Sequence, residues 1–168
     1  MIEADRQDRA APAGAMAGAA GEGWLRALAL VTGLATLAAL GWAMRLRGPW
    51  YDEFYTAWVT RPALPFGTAL MDHWLPDNHP PLYYALAWAS GWTGLSLEAH
   101  RTLNLGFGGL ALGAGGVMLR EARSAAARRL GLVLAIVLAG QGAVLVYGAE
   151  LRSYFASLCA VTLLVLAL

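Results

Sequence analysis

Two adjacent carboxylates stand in Trp50-Tyr51-Asp52-Glu53, and a histidine follows downstream in Asp77-Asn78-His79-Pro80-Pro81-Leu82-Tyr83-Tyr84. A third polar cluster, Glu150-Leu151-Arg152-Ser153-Tyr154, lies near the end of the chain. A carboxylate beside an apolar, partly dry site suits a general base that deprotonates a hydroxyl or amine. Burial and a like-charged neighbour both raise its pKa toward neutrality. Arg152 is a planar cation with the geometry to hold a phosphate. His79 suits the same anion, or joins Asp52, Glu53, Asp72, His73 or Asp77 around a divalent cation, although the spacing matches no dedicated metal motif. Each group also has a plain structural reading. Asp52-Glu53 reads as a solvated pair, His79 as a loop residue packed on prolines, and Glu150-Arg152 as an ion pair at a turn.

The elements that must position these groups are apolar. Hydrophobic residues make up 58% of the 168, and the mean hydropathy of +0.51 excludes an ordinary soluble domain. The net charge of +1 gives no basis for a nucleic-acid partner. The single cysteine, Cys159, forms no internal disulfide and reads as a small packing residue. Residues 1–23, rich in Ala and Gly with scattered charges, read as a disordered cytoplasmic tail. Spans are predicted over about 24–44, 103–119 and 130–147, the first as a retained signal anchor. A fourth apolar run, 154–168, is too short to cross a bilayer, as expected if the chain ends inside a helix. Glycines 106, 108, 109, 113, 115 and 116 in the second span predict close helix packing.

Arg120, Arg123, Arg128 and Arg129 fall in one short loop and place it in the cytoplasm. The extracytoplasmic loop is then 45–102. If 80–94 crossed the membrane, Asp52 and Glu150 would lie on opposite sides. If it lies along the surface, they share one side. The segment is short and rich in Tyr and Trp, so a surface helix is expected, capped by Asn78 with Pro80 or Pro81 in its first turn. A second surface helix is predicted over 50–60. Its aromatic face (Trp50, Tyr51, Phe54, Tyr55, Trp58) is expected in lipid or against the bundle, and its polar face in an aqueous cavity. Glu98 and Arg101 read as residues that orient the second span.

These three motifs, in this order, resemble the N-terminal part of GT-C-fold glycosyltransferases that use polyprenyl- or dolichyl-phosphate sugars. The chain is similar to the bacterial branch related to protein O-mannosyltransferases and lipid A aminoarabinose transferase. The likeness covers about Trp24 to Leu168. It implies an all-α, multi-pass transmembrane bundle with juxtamembrane helices in the first extracytoplasmic loop. It also implies an inverting transfer of a sugar from a lipid-phosphate donor to an extracytoplasmic protein, lipid or glycan. Asp52 would be the base, supported by Glu53. His79, Arg152, Glu150 and Tyr83 would make up the donor and phosphate site, and Asp52, Glu53 and His79 are the candidate ligands of a divalent cation. The implied location is the bacterial inner membrane. Such enzymes have many more spans, so the chain is expected to be part of a longer enzyme. The alternative is a non-catalytic membrane scaffold or lipid-binding subunit. Phosphoethanolamine transfer at the same surface lacks an obvious nucleophile.

Overall fold

In the computed structural model the described residues are 13–94 and 96–168, with side chains from Glu22 onward. All regular structure among them is helical. The tail expected over 1–23 lies outside the described residues through residue 12, but α1 already begins at Ala13 and runs to Leu46. The alanines of 13–20 extend the helix beyond the start expected from hydropathy alone.

Three short elements follow α1: α2 (Tyr51–Val59), α3 (Phe66–Thr68) and a π-helical turn over Ala69–Trp74. After them come α4 (Pro81–Gly91), α5 (Leu97–His100) and α6 (Thr102–Glu121). The chain then forms α7 (Ala125–Ala139), α8 (Gly142–Gly148) and α9 (Ser153–Ala167). Ser124 caps α7, its Oγ accepting from the Ala127 N–H at 3.1 Å. At α4 the cap is Pro80 rather than Asn78, with Pro81 in the first turn, where a missing N–H leaves no bond unmade.

Two stretches, Glu22–Leu46 and Leu97–Glu121, are each helical, 25 residues long and apolar enough to cross a bilayer. The span expected over 130–147 is broken: α7 and α8 meet at 61° across Gly140-Gln141. The pair counts as a third crossing only if taken as one bent span, and α9 is shorter. The break leaves backbone carbonyls without helical partners. Thr36 of α1 donates to Ala139 O at 3.0 Å, and Gln141 Nε2 donates to Val137 O at 3.1 Å. A bend at this depth is tolerated because those bonds are remade. Of the six glycines in α6, Gly108 meets Leu37 and Phe155, and Gly115 meets Leu166. The other four have open space where a side chain would stand, so close packing accounts for two of the six.

Side-chain ties mark the two ends of the bundle. At one end Glu22, on α1, pairs with Arg26 and with Arg128 of α7. At the other, the segments 47–53, 77–84 and 147–154 converge. Asp52 and Glu150 therefore share an end, as a non-crossing α4 requires. Tyr83 and Tyr84 of α4 are buried in one cluster with Val59, Trp74 and Leu151, and Ala87 is buried too. The two tyrosines are core residues, not the headgroup anchors expected of a surface helix, whereas Trp92 is exposed.

Helix α2 turns its aromatic face outward, the lipid-facing of the two expected placements, but its polar face packs on protein instead of lining an aqueous cavity. Glu53, Thr56 and Thr60 are buried, while Trp50, Tyr51, Phe54, Tyr55 and Trp58 face outward. Its polar side packs on the protein because the charges there find partners, and the aromatic side is left for lipid.

Candidate functional site

Glu53 is fully buried against Arg101, which is also fully buried. Glu53 Oε1 accepts from Arg101 Nε at 2.8 Å and from the Leu151 N–H at 2.7 Å. Its Oε2 accepts from Arg101 Nη2 at 2.7 Å and from the Trp50 N–H at 2.8 Å. The remaining donors of Arg101 reach Met44 O, Arg47 O and Gly48 O at 2.9, 2.7 and 3.2 Å. The guanidinium thus caps the carbonyl end of α1 and fixes the start of α2. Burial alone would raise the Glu53 pKa. The Arg101 bonds and the two backbone N–H groups outweigh it and hold the carboxyl below its ordinary value. A carboxylate so completely engaged is neither a base nor a metal ligand, so the expected supporting role beside Asp52 is corrected to a structural one.

Asn104, buried in the first turn of α6, donates to Gly148 O at 3.0 Å and Glu150 O at 2.6 Å. These bonds hold the turn that presents Arg152. The Glu150 side chain is directed to Arg47 at 2.5 Å, away from the phosphate role expected of it. Burial and the neighbouring Glu53 and Asp52 charges raise its pKa, against Arg47 and Arg152. Tyr83 donates toward Asn104 Oδ1 at 3.5 Å and stacks on Phe107. Burial drives its pKa far upward, so it stays a neutral phenol. Tyr83 therefore turns its hydroxyl to Asn104 rather than toward Arg152, while the residue lines the apolar groove beside the site.

The groups that do converge are Asp52, His79 and Arg152. Arg152 is 6% exposed, and its Nη2 lies 2.9 Å from His79 Nε2. Because a guanidinium only donates, Nε2 must accept and the ring proton sits on Nδ1. That Nδ1–H meets Asp77 Oδ1 at 2.9 Å, and the His79 backbone N–H donates to the same oxygen at 3.1 Å. Asp77 also accepts from Tyr84 Oη at 3.0 Å. Burial raises the Asp77 pKa, but the bonds from His79, Tyr84 and Tyr55 prevail and hold it below its ordinary value. Asp77, His79 and Arg152 form a chain with one consistent proton arrangement.

The other contacts of Arg152 are long: 3.3 Å to Asp52 O, 3.5 Å to Thr56 Oγ1, 3.5 Å to Tyr154 Oη and 3.5 Å to Asp52 Oδ2. Its buried Nε has no partner among the described residues. In contrast to Arg101, this guanidinium has donor capacity to spare. Asp52 beside it is 43% exposed at the side chain, an open carboxylate next to a buried cation.

These positions do not fit a divalent cation. Glu53 is taken by Arg101, and the free nitrogen of His79 faces a guanidinium rather than an electron-poor metal. Among the described residues no three His, Cys, Asp or Glu side chains group around a possible ion position. The expectation of Asp52, Glu53 and His79 as metal ligands is corrected accordingly.

An apolar groove of about 340 Å³ opens beside the site, between α4, α6 and α9. Pro80 and Ser153, chain neighbours of His79 and Arg152, line one part, and Leu163 another. From 153 to 163 along α9 the groove extends about 15 Å, roughly one leaflet of hydrocarbon.

Comparison of the chain with family models, curated proteins and solved structures returns no match. The chemistry of the site rests on the residues themselves. Asn104 is a position that reading the sequence missed, and Arg101 was read only as a residue that orients the second span, without its partner Glu53. The signal for both was a strong hydrogen-bonding side chain at the edge of an apolar span, where burial demands a partner.

Proposed function

We propose that this end of the bundle binds the phosphate of a lipid-linked sugar and passes the sugar to an acceptor by a single inverting displacement. The observation that carries the reading is Arg152, a buried and incompletely bonded guanidinium, beside the open carboxylate of Asp52 at the head of an apolar groove. Phosphate oxygens suit the spare donors of Arg152. The groove suits a prenyl tail, and Asp52 is the only carboxylate of the cluster left open enough to take a proton from an acceptor hydroxyl or amine. The acceptor oxygen or nitrogen bonds the sugar carbon as the bond to phosphate breaks on the opposite face. The proton goes to Asp52, and the lipid phosphate leaves against Arg152. His79, held by Asp77, fixes the guanidinium. No step is routed through a metal.

The resemblance to GT-C transferases supports the same reading, with the site on the extracytoplasmic face of a bacterial inner membrane and the arginine-rich loop in the cytoplasm. The full chain in nanodiscs, titrated with a polyprenyl-phosphate hexose, tests it. Binding is expected to be competed by polyprenyl phosphate and not by polyprenol. Arg152→Gln is expected to weaken it about tenfold or more, the loss of one or two charged hydrogen bonds. Equal competition by polyprenol would contradict a phosphate site and favour a lipid-binding scaffold.

A further inference from the structure

A second cavity of about 340 Å³ lies between α1, α6, α7 and α9, and Arg26, Arg120 and Arg128 belong to its lining. Apart from Thr36 and Thr162 its other walls are apolar, with small residues such as Ala29, Gly116 and Ala135 leaving the space open. Glu22, which pairs with both Arg26 and Arg128, sets one carboxylate against three guanidiniums. Arg120 has no ion pair among the described residues. Along α6 the lining runs from Gly108 to Arg120, about 18 Å of helix. That length matches one leaflet of hydrocarbon, with the cations at headgroup level.

We propose that this slot holds one chain of an anionic phospholipid, its phosphate at Arg120 and the Arg26–Arg128 pair. The volume falls within the ordinary range for ligand cavities. An apolar slot with cations at one end selects an amphiphile of negative charge over a neutral one. The site lies at the opposite end of the bundle from Asp52 and Arg152. It does not depend on the transfer reading.

The test uses the full chain, purified in detergent and exchanged against dioleoyl phosphatidylglycerol or dioleoyl phosphatidylcholine, with bound lipid counted by native mass spectrometry. Phosphatidylglycerol is expected to be retained about twenty-five-fold better, since the three arginines less Glu22 leave two net positive charges and each contributes about fivefold near an anionic headgroup. Arg120→Gln is expected to remove about fivefold of that preference. Ala135→Phe, which fills the slot, is expected to abolish retention of both lipids while the thermal transition shows a folded chain. Equal retention of the two lipids would overturn the proposal, as would retention unchanged in Ala135→Phe or no lipid retained by the unaltered chain.

Discussion

Asp52 and Glu53 are neighbours in the chain with opposite fates, and the difference comes from where their helix stands. Glu53 enters a fully bonded pair with Arg101, whereas Asp52 lies half open next to Arg152. Removing one partner of a buried ion pair leaves the other charge uncompensated. Glu53→Gln is expected to cost about 3–5 kcal/mol, measured by denaturant unfolding in detergent. The acid limb carries the same signature. Glu53 has a folded pKa below its unfolded value, so the unfolded chain binds more protons and stability rises with pH. That contribution is complete above the unfolded carboxylate value of about 4.3 and lost as pH falls through the lower folded value. Glu53→Gln should remove this component of the acid-unfolding curve, and Asp52→Asn should leave it in place. The adjacency of the two carboxylates was plain in the sequence, but their division of labour was not. It depends on Arg101, 48 residues from Glu53 and paired with it only in the folded chain.

At the scale of elements, hydropathy located the apolar helices but not their interruptions or their faces. An uncharged run over 130–147 reads as one span, yet Gly140, Gln141 and Gly142 allow a 61° bend. Thr36, on a different helix, shares its hydroxyl between its own Thr32 carbonyl at 2.8 Å and the freed carbonyl of Ala139 at 3.0 Å. Thr36→Val keeps the shape and leaves that carbonyl unsatisfied. A loss of about 1–3 kcal/mol in thermal or denaturant unfolding is expected. Helix α2 shows why an amphipathic pattern alone does not give direction. In water the aromatic side would turn inward, but here Glu53, Thr56 and Thr60 turn inward and the aromatic rings turn out. The polar motif around His79 was legible, and so was its nearness to Arg152 once both were assigned to one side. The Asp77–His79 bond was hidden among several possible partners.

For the whole molecule, the decisive feature is polarity between two ends. One gathers Asp52, His79 and Arg152; the other carries Arg26, Arg120 and Arg128 beside Glu22. The arginine loop predicts which end is cytoplasmic. In a Cys159→Ala background, a membrane-impermeant maleimide applied to intact spheroplasts is expected to label Tyr51→Cys. Arg123→Cys is expected to react only after lysis. Labelling of both, or the reverse pattern, would contradict this orientation.

The most direct test of the transfer reading is turnover. Membranes containing the full chain are supplied with a radiolabelled polyprenyl-phosphate hexose, and label passing to endogenous acceptors is counted for the unaltered chain and for Asp52→Asn. A general base contributes about 10²–10⁴-fold, so Asp52→Asn is expected to lower transfer by that factor while donor binding persists. Transfer at the unaltered rate in Asp52→Asn, or no transfer above membranes lacking the chain, would contradict the account.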